Sequence, residues 1–340
     1  MTSESFLRAA AQFEAHIAQP HRHDERVRAT PDVDQYCSSS HWTLSAYDAF
    51  SGRAQGLLYE EADASVLVYE TMYNERVRAR ISLDAMWGLA SSVTWNAARP
   101  LQELLAQVVL SEGAEPLFWY LTGIPTELLA ELHYGDSLRN LGVRVRSPGQ
   151  STRMIASLDS GFDGFLGRRS RKFRKGLRSS TRRCHDAGIE LRVLRAEDST
   201  TADALFHRCL RVESESWKGA GQCGFAEGPM FAFVQTLCRR SATGPGVDFV
   251  LAERDGQDVA FLIGVQHGGV FRGVQMSYDR AWRSLGLGSV LQSEAIRLAA
   301  ERGAERYDLG SEGLAYKADW AESTWTTWNL TLQTARLSGV

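Results

Sequence analysis

Apolar positions at helical spacing open the chain: Phe6, Ala10, Phe13 and Ile17 fall on one stripe and predict a helix over Phe6–Ala18. The next stretch, Gln19–Asp34, is polar and rich in arginine with two prolines, and reads as a solvated loop holding His21 and His23. Residues that favour β structure follow in Trp42–Phe50 and Gly56–Tyr59, and Ser65–Glu70 and Arg76–Ile81 read as strands. Leu101, Leu104, Leu105 and Val108 mark a helix over Leu101–Leu110. A buried strand at Leu117–Leu121, a helix at Thr126–Leu132 and the start of a strand at Val143–Val145 complete the first half.

The second half begins with a short strand, Met154–Leu158, and a helix over Phe162–Ala187 that stops at Gly188. Ile189–Leu194 is a strand, and Ser199–Ser216 and Pro229–Arg240 are helices. The strands Phe249–Glu253 and Val259–Gln266 meet at an Asp255-Gly256 hairpin turn. A third strand, Val270–Ser277, feeds a helix over Gly288–Arg302, closed by Gly303. Strands at Arg306–Leu309 and Thr324–Leu332 end the pattern. The order is that of an α/β fold: a mainly antiparallel meander, then a helix crossing to a further strand. Pro148, Gly149 and Ser151 cluster at the midpoint and place a boundary there, giving domains 1–150 and 151–340. Both share a coarse strand–helix–strand order, as a duplicated fold would.

Composition narrows the class. With 340 residues, 44% apolar and 23% charged, each half can bury a core. A net charge of −3 creates no global field for nucleic acid or an anionic membrane. Cys37, Cys184, Cys209, Cys223 and Cys238 match no metal or disulfide spacing and read as free thiols of a reducing compartment. The histidines show no ligand spacing, so no metal is expected. No signal peptide and no span-length apolar run is visible, so a cytoplasmic protein without membrane attachment is expected.

The run Arg283-Ser284-Leu285-Gly286-Leu287-Gly288, followed by Ser289, stands between a strand and a helix. Residues without a Cβ admit phosphate close to backbone N–H groups, and a helix N-terminus adds donors and positive potential. Arg283 can add a charge-assisted bond. RSLGLG resembles the R/Q-x-x-G-x-G/A signature of GNAT N-acetyltransferases. The resemblance implies that Leu285, Gly286, Leu287, Gly288 and Ser289 offer amides to the pyrophosphate of acetyl-CoA or another acyl-CoA. It places Ser284 within the loop and Arg283 at the basic position, and has Val274, Gln275 and Met276 flank the pantetheine arm. Further runs, RRSRKFRKGLRSSTRR, ESESWKG and YDLGSEGLAYKADW, are similar to the larger CelD-type and FemABX-like relatives, which carry two GNAT-like halves. The implied fold is a tandem GNAT-like one, with a degenerate first half in a substrate or structural role. The FemABX branch uses aminoacyl-tRNA and often lacks a coenzyme A loop. This chain keeps such a loop, which implies a thioester donor.

Nine basic residues crowd positions 168–183, and Arg171, Lys175, Arg178 and Arg182 share one face opposite Leu166, Phe173, Leu177 and Cys184. The face reads three ways: solvated charge, recognition of an anionic substrate or cofactor phosphate, or binding of tRNA. Acid and base candidates for acyl transfer are Tyr316, Glu213, Glu215 and Asp308. Trp217, Lys218, Tyr278, Asp279 and Lys317 are candidates for holding substrate. The expected activity is acyl-CoA-dependent transfer, most simply of acetyl, to a primary amine of a small molecule or peptide. Two alternatives stand beside it: an aminoacyl-tRNA-dependent, peptide-bond-forming transferase, and a non-catalytic acyl-CoA-binding module. Oligomeric state is left open.

Overall fold

The structure, a computed structural model, describes residues 3–61, 64–96, 99–112, 117–221, 224–311, 313 and 315–334. The chain divides into two compact units, Met1–Ser151 with Thr326–Val340, and Thr152–Trp325.

The first unit contains α1 (Ser3–Ala18), α2 (His21–Ala29), α3 (Ser40–Phe50), β1 (Gly56–Glu60), β2 (Ser65–Asn74), β3 (Val77–Ser82), β4 (Val93–Thr94), α4 (Leu101–Ser111), β5 (Leu117–Pro125), α5 (Leu129–Tyr134) and α6 (Asp136–Asn140). β1, β2 and β3 form an antiparallel meander. α4 then crosses to β5, which pairs in parallel with β3. Leu101, Leu104, Leu105 and Val108 of α4 pack with Val66, Val68, Leu117, Trp119 and Leu121. Each such side chain contributes roughly 1.5–3 kcal/mol by leaving water.

Two expectations fail here for stated reasons. The stretch read as a loop is largely the helix α2: Val27 is buried, and His23 is only 3% exposed with Nε2 donating to the Ser38 carbonyl at 2.9 Å. His23 is therefore an internal support, not a solvated residue. Trp42–Phe50, read as β, is the helix α3. Asp24 caps its start by accepting from the Ser40 amide and hydroxyl, both at 2.7 Å, a tertiary cap that overrides β propensity.

β6 (Arg144–Ser157) runs straight through the cluster read as a linker, so two short expected strands are one. Its burial alternates along most of its length, which is a period-2 signal that Pro148 and Gly149 obscured. The second unit continues with α7 (Gly161–Gly167), α8 (Arg171–Asp186), β7 (Glu190–Ala196), α9 (Ser199–Glu215), α10 (Trp217–Ala220), α11 (Gly228–Ala242), β8 (Val247–Arg254), β9 (Gln257–His267), β10 (Val270–Tyr278), α12 (Leu287–Glu301) and β11 (Arg306–Ser311), and the last strand, β12 (Ser323–Gln333), belongs from Thr326 on to the first unit. β12 returns to pair antiparallel with β5.

The helix expected over Phe162–Ala187 is two helices. Ser170 caps α8 by accepting from the Phe173 amide at 3.1 Å, and Arg174 donates to the Leu166, Gly167 and Arg169 carbonyls at the end of α7. β7, β8, β9 and β10 form an antiparallel run. At the β8–β9 turn Asp255 and Gly256 both have positive φ, as a tight hairpin requires. α12 crosses from β10 to β11, which pairs in parallel with β10 and antiparallel with β6. Both units thus repeat one plan: an antiparallel meander, a crossover helix and a parallel strand. Cys37, Cys184, Cys209 and Cys238 are buried free thiols, and Cys223 lies outside the described residues. Among the described residues no helix is long and apolar enough to cross a membrane.

Candidate active site

The site lies where two parallel strands part. β10 and β11 pair from Val270–Arg272 to Arg306–Asp308 and no further. Just beyond, β10 shifts register against β9 between Gly273 and Gln275, and β11 shifts against β6 between Asp308 and Ser311. The parting opens a cavity of about 160 Å³. Gly273, Val274, Gln275 and Met276 line one side, Tyr307 and Leu309 of β11 the other, with Leu262, Gln292, Lys218, Tyr316 and Lys317 closing it.

Charge is concentrated beside this opening. Asp308 is 1% exposed, and its carboxylate accepts from Arg272 and, through Oδ1, from the Gly310 amide at 2.7 Å. Arg153 Nη1 stands 3.5 Å from the same carboxylate. Asp308 is thus an anchor between two guanidinium groups and the β11 backbone, not a free acid or base. Lys317 donates from Nζ to the Ser311 carbonyl at 2.6 Å. Burial lowers its pKa to about 8, with Arg272 and Lys218 adding to the effect and Asp308 opposing it. Lys218 Nζ donates to the Met276 carbonyl at 2.9 Å. Burial raises the pKa of Tyr316, so its hydroxyl keeps its proton at neutral pH.

Tyr316 also lines a second space. A groove of about 610 Å³ runs along α8, bounded by Lys172, Lys175, Leu177, Ser180 and Arg183, and meets Ser289 in the first turn of α12. Tyr316 is therefore a wall common to the groove and the cavity. Of the α8 cations, Arg183 donates to the Leu285 carbonyl at 3.2 Å and Arg174 is spent on α7. Arg168 and Arg169, just before the helix, pair with Glu322. Arg171, Lys172, Lys175, Arg178 and Arg182 are exposed and form no ion pair among the described residues.

The glycine loop sits at the α12 N-terminus, with Gly286 at φ 78°. A Cβ on Gly286 would fall 2.5 Å from Ser180 Oγ, so close packing against α8 already demands glycine there. The Leu285 carbonyl is held by Arg183, Leu287 is buried, and the Ser289 amide donates to the Gly286 carbonyl at 3.1 Å. A Cβ on Gly288 would make ordinary contact with Met276 and Tyr278, 3.6 Å away or more. The loop thus faces α8 through Gly286, faces β10 through Gly288 and borders the groove through Ser289. Arg283 and Ser284 are exposed beside it.

The remaining candidates lie apart from the cavity lining. Glu213 is fully buried; Oε1 accepts from the Phe225 amide and Oε2 from the Ser216 hydroxyl, each at 3.3 Å. It ties the end of α9 to the following loop. Glu213→Ala should cost about 2–3 kcal/mol in denaturant unfolding and leave the pH profile of any activity unmoved. Loss of activity at full stability would instead place Glu213 in the chemistry. Glu215 is exposed and borders a different groove, together with Asp279, whose Oδ1 accepts from the Ala281 amide at 2.8 Å. Trp217 is 51% exposed, and Tyr278 packs half-buried against the core. Sequence reading missed Tyr307, Gln292, Arg272 and Arg153. Gln292 left one trace, a polar residue three and four places before Ala295 and Ile296 on the buried stripe of α12.

A sheet whose parallel pair parts around a cavity, with a crossover helix opening from the same end, defines an acyltransferase-like α/β domain. Residues 171–318 match the acetyltransferase (GNAT) domain family Acetyltransf_6, so the second unit carries a GNAT-superfamily domain. No curated protein matches the sequence. Among solved structures, FemX is similar over 93% of this chain and 96% of its own, with 12% identity and a TM-score of 0.63. A conserved protein of unknown function from Bacteroides thetaiotaomicron is similar over 92% and 96%, with 14% identity and a TM-score of 0.60. L-PGS from Bacillus licheniformis is similar over 86% and 87%, with 14% identity and a TM-score of 0.52. The fold is the mixed, mainly antiparallel one expected, GNAT-like and similar to that of FemX along 93% of the chain.

Proposed function

We propose that this protein is an aminoacyl-tRNA-dependent transferase that joins an aminoacyl group to a primary amine of a small molecule or peptide. The observation that carries the reading is Tyr316 as the shared wall between a cation-lined groove and the cavity at the parted strands. The groove takes the phosphate-bearing end of the carrier, and the activated carbonyl passes Tyr316 into the cavity. The FemABX-like runs of the sequence, the likeness to FemX along 93% of the chain and the exposed cations of α8 support tRNA as carrier over coenzyme A.

Above its pKa, Lys317 holds a lone pair while donating one N–H to Ser311. It takes the proton of the attacking amine as the new C–N bond forms. Tyr316, which keeps its hydroxyl proton, gives it to the ribose oxygen as the ester C–O bond breaks, and the proton on Lys317 restores it. Lys218 and Arg272 keep positive potential beside the carbonyl oxygen, where negative charge develops.

A second reading, acyl-CoA as donor, rests on the open Gly288–Ser289 side of the α12 N-terminus with Lys175 and Arg183 nearby. Incubation with labelled aminoacyl-tRNA or labelled acyl-CoA and a panel of amines separates the two. Ribonuclease-sensitive transfer from charged tRNA is expected. Thiol release from acyl-CoA with no transfer from charged tRNA would overturn the main reading.

A further inference from the structure

We infer that Arg169, braced by Glu322, is the positioning residue of this site: it clamps the segment that carries Tyr316 and Lys317 and holds both at the cavity wall. The inference deepens the proposed function, on which its kinetic consequence rests. Tyr316 and Lys317 stand on a short helical turn, Ala315–Asp319, whose last carbonyls have no partner further along a helix. Arg169 supplies one. Its Nη1 donates to the carbonyls of Asp319, Trp320 and Ala321 at 3.4, 3.1 and 3.2 Å, and its Nη2 donates to Glu322 Oε1. The amides of Trp320 and Ala321 donate in turn to the Lys317 carbonyl at 3.0 and 2.9 Å. Arg169 therefore acts on the lysine through the backbone, without touching substrate.

The clamp has a foundation on three elements. Glu322 accepts from the Ser157 amide of β6 at 2.9 Å and from Arg168 Nε at 2.6 Å, and its own amide donates to the Ile155 carbonyl at 2.8 Å. Arg174 of α8 donates to the Arg169 carbonyl at 2.7 Å, so the start of the groove helix is tied to the same point. Trp320, 4% exposed, seats the segment by packing against Phe165 and Phe173. A ring in a core fixes depth but leaves the peptide planes free to turn. A planar guanidinium that is only 8% exposed, lying 4.7 Å over Phe165 with several carbonyls on its fork, fixes their direction. The charged groups that face Lys317 are Asp308 on β11, Arg272 on β10 and Lys218 on α10, with Tyr316 on its own turn. Each is held by contacts that do not involve Arg169. Loss of Arg169 thus changes how far Lys317 is shielded from water and leaves the charges around it in place.

The ionisation of Lys317 reports the clamp without any need for turnover. Folded protein is labelled with a trace of isotopic acetic anhydride across a pH series, and the Lys317 peptide is quantified by mass spectrometry. In wild type the reactive fraction should rise with a midpoint near 8. In Arg169→Ala the loosened turn admits water, and the midpoint should climb by about one unit towards the ordinary lysine value. Arg169→Lys keeps a charge but lacks the fork, so it should resemble Arg169→Ala. Transfer at saturating carrier should fall about 10- to 100-fold in both, the cost of misplacing reacting groups. Carrier affinity should change little, since the Ser170 cap and the Arg174 bonds to backbone remain. A merely structural Arg169 would lower resistance to denaturant and leave the Lys317 midpoint of the folded protein where it was. That result, or full recovery with lysine, overturns the inference. If Arg169→Ala does not fold, Glu322→Gln takes its place: its amide oxygen still accepts from Ser157, while the carboxylate bracing Arg169 is gone. The midpoint should move the same way, and an unmoved midpoint again counts against the clamp. A wild-type midpoint near 10.5 would remove Lys317 as base together with this inference. A chain that shows the shift but transfers from no carrier would support the clamp and sink the transferase reading.

Discussion

Lys172→Ala, Lys175→Ala and Arg178→Ala together should weaken tRNA binding roughly 100-fold at moderate salt, and should flatten its dependence on salt. The three side chains are exposed on α8 and form no ion pair among the described residues, so their charge is available to a ligand. Each phosphate neutralised releases condensed counterions, and the slope of log K against log[salt] falls by about 0.7–0.9 for each phosphate left without its cation. Removing three cations should therefore reduce the slope by about 2–3. Helix stability should not suffer, because alanine has the highest helix propensity and the Ser170 cap and Arg174 bonds are untouched. Filter binding across a salt series, with circular dichroism as the check on folding, decides the matter. Unchanged affinity and slope would make the cationic face a solvated surface and remove the main support for tRNA. Coenzyme A, being compact, would draw on Lys175 and Arg183 near Ser289 and respond little to Arg178→Ala.

What the sequence disclosed followed from periodicity, and what it concealed followed from tertiary contacts. The three-strand meander Val247–Tyr278 and the crossover helix α12 were legible because their apolar spacing and glycine punctuation agree. α3 was not, since its start depends on Asp24, 16 residues upstream, and no local pattern shows that. The break between α7 and α8 was hidden because a run of arginines has high helix propensity throughout; only Arg174 folding back on the α7 carbonyls reveals the stop. The site was half legible. Val274, Gln275, Met276, Lys218, Tyr316 and Lys317 converge on one cavity, as a resemblance to known signatures could suggest. Tyr307 and Gln292 look like ordinary core residues until the parting of β10 and β11 places a cavity beside them. Glu213 carried the opposite lesson: a carboxylate near a candidate cleft is consumed by the Phe225 amide and Ser216. Gly286, likewise, is required by Ser180 whether or not a phosphate approaches.

Lys317→Met should lower the transfer rate by about 10²–10⁴-fold, the range that a positioned general base contributes, while leaving carrier affinity within about twofold. The pH dependence follows from the direction of the shift. Burial, Arg272 and Lys218 bring the lysine from an ordinary value of 10.5 down to about 8. Only the neutral form accepts a proton from the amine, so the wild-type single-turnover rate should climb as pH rises towards 8 and level off above it. In Lys317→Met that limb should vanish. Stability supplies an independent check with its own sign. Between about pH 8 and 10.5 the unfolded chain holds a proton on this lysine that the folded chain has released. Folding is therefore disfavoured by the group below pH 8, and its unfavourable contribution is relieved as pH climbs through that window. Methionine, similar in length and uncharged, should make the protein at least as stable as wild type at about pH 7 and should remove this relief at higher pH. A Lys317→Met protein that transfers at the wild-type rate, or keeps the wild-type pH limb, would take the proton away from Lys317. The candidates left would be groups of the acceptor itself, because Asp308 is held between Arg272, Arg153 and the Gly310 amide and Glu213 is committed to its loop.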